Sequence, residues 1–126
     1  MLEIKETTKH EAEVKETVWR MARDITFEIA HDEGLKDFVV TICYESIGED
    51  ATSAENYLTQ FIIDSDIKVG GQVGEHYDIW EDFSSALYDS ICRIFPKANK
   101  KEAGALSDKI YAVVEKLAND SEIVTK

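Results

Sequence analysis

Apolar residues recur at three- and four-residue steps through much of this chain, the period of an α-helix that buries one face. Val14, Val18, Met21, Ala22, Ile25 and Ile29 follow that step as far as Gly34, and Thr8-Lys9-His10-Glu11 fits a capping box ahead of them. A long amphipathic helix is predicted there. The next segment, LKDFVVTICYESIG, is two-sided: FVVTICY has strand composition, while Leu35, Phe38, Val39, Ile42 and Ile47 fit a helical stripe that Asp37 could cap. A lone strand needs a partner, and the one available alternation is the weak one in DIKVGGQV, so helix is favoured.

Thr52-Ser53-Ala54-Glu55 forms a second capping box, before a short helix with Ala54, Leu58, Phe61 and Ile62 on one face that ends near Asp64-Ser65-Asp66. Gly70, Gly71 and Gly74 then mark a flexible connector. A further helix is predicted from about Glu75 to Phe95, with Trp80, Phe83, Leu87, Ile91 and Ile94 inward and Pro96 as its stop. Asn99 with Glu102 opens a last helix carrying Ala103, Leu106, Ile110, Val113, Val114 and Leu117, and residues 119–126 read as a frayed tail. The expected fold is mainly α, a compact bundle of four to five helices forming a single domain over residues 1–126. The alternative is an α+β fold with a short hairpin from residues 38–44 and 67–73.

Composition supports a folded domain: 44% of the residues are hydrophobic and 10% aromatic, despite 32% charged. The start of the chain alternates charges where a signal peptide would be basic and then apolar, and no apolar run approaches a membrane span, so a cytoplasmic protein is expected. Cys43 and Cys92 are isolated and read as free thiols in the core. The charge is the unusual feature. The net value is −12, and residues 35–95 hold twelve acids against three bases, whereas residues 96–126 hold five against six. Such a field repels nucleic acid and anionic membranes and attracts basic surfaces.

Catalytic signatures are missing. The glycine loop lacks the lysine and hydroxyl of a phosphate loop and is followed by Glu75. His31-Asp32-Glu33 and Glu75-His76 lack the paired-histidine spacing of a metal site, and neither cysteine has the flanks of an activated nucleophile. The reading is therefore a non-enzyme with no metal and no cofactor. Glu75, Asp78, Asp82 and Asp89 would fall within about 60° of arc on one helix, an acidic ridge about 21 Å long. Glu49, Asp50, Glu55 and Glu81 extend the acidic surface, and Tyr77, Tyr88 and Tyr57 are candidate aromatic anchors.

The acid-only middle of the chain and the segment GEHYDIWEDFSSALYDSI together resemble a class of small acidic helical proteins encoded by phages and mobile elements. Members of that class block host defences of the restriction or CRISPR type, some by imitating nucleic acid. The resemblance implies a non-enzymatic inhibitor whose acidic face occupies a basic nucleic-acid-binding or nuclease site, with no nucleic acid or membrane bound directly. Lys97, Lys100 and Lys101 depart from a uniformly acidic mimic. Two other readings fit the residues: an immunity protein or antitoxin neutralising a basic nuclease toxin, and a helical module, such as a homodimer, that is acidic only for solubility.

Overall fold

Alternation of buried and open positions, rather than helical periodicity, organises residues 22–30 and 38–45. The computed structural model describes residues 3–15, 19–47, 55–70, 79–120 and 123–125. Its elements are β1 (Glu3–Lys15), β2 (Trp19–His31), β3 (Gly34–Ile47), β4 (Glu55–Ile63), β5 (Ile67–Gly70), α1 (Ile79–Ile94), α2 (Lys100–Asp120) and β6 (Ile123–Thr125). The sheet runs β1-β2-β3-β4-β5, each neighbour antiparallel, and β6 lies parallel to β4. The fold is α+β, a meander followed by a helical hairpin.

The expected helical bundle is thus corrected, and the reason lies in particular residues. The segment predicted as the first helix instead supplies residues 8–15 to β1 and residues 19–31 to β2, because Ile25, Phe27 and Ile29 are buried while Thr26, Glu28 and Ala30 face the other way. Residues 35–47 form β3, with Phe38, Val40, Ile42 and Tyr44 buried and Val39, Thr41 and Cys43 on the opposite face. The partner that this strand lacked on paper is β2, along its whole length from Trp19↔Ser46 to His31↔Gly34.

A β-bulge explains the helical spacing within residues 55–63, which form β4. Tyr44 pairs with Leu58 and Cys43 with Gln60, so Thr59 is the extra residue and buried Leu58 and Phe61 stand three apart, as in a helix. The Thr59 hydroxyl donates to the Cys43 carbonyl at 3.1 Å. Of the α+β alternative, 38–44 lies in β3 and residues 67–70 form β5, but both flank β4 and are not paired with each other. Of the capping box Thr52-Ser53-Ala54-Glu55, residues 52–54 lie outside the described residues and Glu55 begins β4; the glycines at 71 and 74 also lie outside the described residues.

The helical hairpin agrees with the sequence expectation. Phe83, Leu87 and Ile91 of α1 and Ala103, Leu106, Ile110 and Val114 of α2 are buried in one cluster with the β2, β3 and β4 side chains above. Phe61 stacks on Phe83 with centroids 4.1 Å apart, Trp80 meets both rings edge-on, and Tyr111 stacks on Phe83. Each such side chain contributes about 2–3 kcal/mol by leaving water. The Glu102 amide donates to Asn99 Oδ1 at 2.8 Å, and Asn99 Nδ2 donates to Glu102 Oε1 at 3.0 Å, which caps α2 reciprocally. Arg23, on the helix-facing side of β2 and 8% exposed, donates from Nη1 to the Leu117 carbonyl at 3.0 Å and ties the end of α2 to the sheet. The chain end, read as frayed, supplies β6 beside β4.

Candidate partner-binding surface

Both helices cover one face of the sheet, and the other face carries no covering element among the described residues. Register determines which side chains share that open face. Glu6 pairs with Glu28 and Glu28 with Asp37, so three carboxylates stand side by side across three adjacent strands. Two strand spacings make this row about 10 Å wide. Like charges directly opposite repel, and no ion pair joins any of the three to a base among the described residues. Thr8 and Thr26 form the next pair, and with the acids they line a shallow cleft of about 160 Å³.

Apolar side chains flank the acidic row. Ala30 and Leu35 pair on its outer side, and Leu35 is 61% exposed, the large hydrophobic most open to solvent among the described residues. On its inner side stand Val39 and then, one strand across, Ile62 opposite Thr41. The Thr41 hydroxyl donates to Asp24 Oδ1 at 2.6 Å, and Lys68 faces Ile62 from β5. Cys43 sits on the same face, half-buried and reduced, and burial pushes its thiol pKa up. That shift disfavours thiolate, the reactive form.

The acids read from sequence as a ridge are distributed differently. Glu81, Asp82 and Asp89 are exposed on α1, away from its buried Phe83, Leu87 and Ile91, so their side of the molecule is opposite the open sheet face. Arg93 lies one turn beyond Asp89 and pairs with Asp66 at 3.8 Å, both side chains largely solvated. Tyr88 is half-buried, and a hydrogen bond with Cys92 raises its phenol pKa. Glu55 begins β4 and Tyr57 pairs with Glu45, while Glu49, Asp50, Glu75, Tyr77 and Asp78 lie outside the described residues. Glu6 and Glu28 were not singled out in the sequence, and Leu35 and Asp37 were read only as part of a helical stripe and as its cap. The alternation in ITFEIAH and LKDFVVT is the signal that puts Glu28, Asp37 and Leu35 on one face.

A second crevice, of about 70 Å³, lies where the β2–β3 turn meets the α1–α2 turn. His31 is at the end of β2, with its ring edge-on at 5.2 Å to Phe95, the residue just past the end of α1. Lys97 bridges to Glu33 at 2.8 Å, and this hydrogen bond lowers the Glu33 carboxyl pKa and raises that of Lys97. The described residues contain no group of three or more histidine, cysteine or acidic side chains placed to hold a metal ion. No described helix is long and apolar enough to cross a membrane.

An α+β sheet with one helical layer and one acidic, partly apolar open face is what the fold and surface define. Comparison with protein-family models, with curated proteins and with solved structures finds no match to this chain.

Proposed function

We propose that this protein is a non-enzymatic inhibitor that binds a basic site on a nucleic-acid-binding protein or nuclease complex through its acidic surface. The observation that carries the reading is the Glu6–Glu28–Asp37 row, where three carboxylates are held together without a described counter-charge. Such an arrangement opposes folding and gains energy when a cationic surface covers it. Glu81, Asp82 and Asp89 add a second negative surface on α1 that lengthens the reach of the field.

The test is capture from cell lysate on immobilised protein, washed across a salt gradient and challenged with duplex DNA. Retention of a nucleic-acid-binding protein that duplex DNA displaces supports the reading. Recovery of no such protein, together with a stable homodimer in sedimentation, would show that the charge serves solubility alone. An immunity protein or antitoxin would present the same surface, and a basic toxin encoded beside this chain would favour it.

A further inference from the structure

The open sheet face alternates in chemistry along its length, and the spacing of that alternation is specific. Along β3, Leu35, Asp37 and Val39 occupy successive positions of the face, separated by about 6.8 Å each. Leu35 has Ala30 beside it; Asp37 has Glu28 and then Glu6; Val39 has Thr26 and then Thr8. The face therefore reads as an apolar strip, an acidic strip and an apolar-to-hydroxyl strip. Leu35 is 61% exposed on the first of these, while Ala30 and Val39 are half-buried.

A second copy of this chain is a poor occupant, because a sheet-on-sheet dimer would set one acidic row against another. An α-helix repeats a side chain on one face every four residues, a rise of about 6 Å, which matches the strip spacing. We infer that the open sheet face is a docking surface for a cationic amphipathic helix of the partner protein. Apolar residues at positions i and i+8 of that helix rest on Leu35 and Val39. An arginine or lysine at i+4 enters the cleft between Glu6, Glu28 and Asp37, where the Thr8 and Thr26 side chains complete the lining. The apolar contacts supply tightness, and the charges fix register and orientation. The inference rests on the proposed recognition of a basic partner, but it assigns the contact to the sheet rather than to α1.

The experiment is a titration of the isotope-labelled protein with a synthetic 18-residue helix carrying Leu-x-x-x-Arg-x-x-x-Leu on one face, followed by amide NMR shifts. The expected result is saturable binding with shifts centred on Glu28, Leu35, Asp37 and Val39. Affinity should fall about tenfold both in Leu35→Ser and in Glu28→Gln/Asp37→Gln, the size of one lost desolvated contact. A sheet variant that misfolds is recognised by its amide spectrum, and the scrambled peptide, with arginine and leucine exchanged, then serves as the control: it should bind at least tenfold more weakly to the wild type. Shifts confined to Glu81–Asp89 would overturn the sheet assignment while leaving recognition of a basic partner intact. Equal binding of both peptides, or none, would overturn the helix register.

Discussion

Removing the middle charge of the acidic row should stabilise the fold, and the size of the effect follows from its neighbours. Glu28 stands directly between Glu6 and Asp37, and each unfavourable cross-strand pair on a partly solvated face costs about 0.5 kcal/mol. Replacing Glu28 by Gln keeps the shape and hydrogen-bonding capacity and removes both repulsions, a gain of about 1 kcal/mol at low salt. A Debye length of about 3 Å at 1 M ionic strength screens most of that gain. The assay is urea unfolding of wild type and Glu28→Gln at 0.02 and 1 M sodium chloride, comparing midpoints at constant slope. A raised midpoint at low salt that converges with wild type at high salt is expected. If Glu28→Gln is destabilised, or shows the same difference at both salts, the row does not carry uncompensated charge.

Three further outcomes follow from packing and titration. Arg23→Met should lose about 2 kcal/mol in thermal or urea unfolding, because the Leu117 carbonyl loses a charged donor within the helix–sheet interface. Gly70→Ala should cost about 2–3 kcal/mol, since Gly70 has φ +115° and an added Cβ would meet the Thr59 carbonyl oxygen at 2.6 Å, beside the bulge; wild-type stability would refute the close approach. Burial raises the Cys43 thiol pKa above its unfolded value, so its contribution to stability is full below the unfolded thiol pKa and fades as pH rises through and beyond it. Between pH 7 and 9, Cys43 should accordingly react with a disulfide reagent more slowly in the folded chain than in urea, as followed in a Cys92→Ser background.

What the sequence disclosed depended on whether one periodicity stood alone. α1 and α2 are plain because Phe83, Leu87 and Ile91, and Leu106, Ile110 and Val114, fit only a helix, with Pro96 and the Asn99–Glu102 cap marking the ends. The strands are ambiguous. Ile25 and Ile29 fit both periods, and Phe27 between them, buried with Thr26 and Glu28 turned away, is the residue that decides for strand. Around Leu58 and Phe61 the bulge at Thr59 copies a helical step, a signal that no period in the sequence corrects. The turn at Asp64-Ser65 was legible as a break, but its φ values of 53° and 61° belong to a tight β4–β5 turn rather than to a helix end. The acidic row escaped notice because its members come from three successive strands and are set side by side only by the register of β1, β2 and β3.

The most direct test of acidic-surface recognition is the salt dependence of affinity for the captured partner, measured by titration with wild type and with Glu6→Gln/Glu28→Gln/Asp37→Gln. Wild type should bind progressively more weakly as salt rises, and the triple variant should bind more weakly at low salt with a flatter dependence. Identical affinity and identical slope for the two proteins would contradict the account.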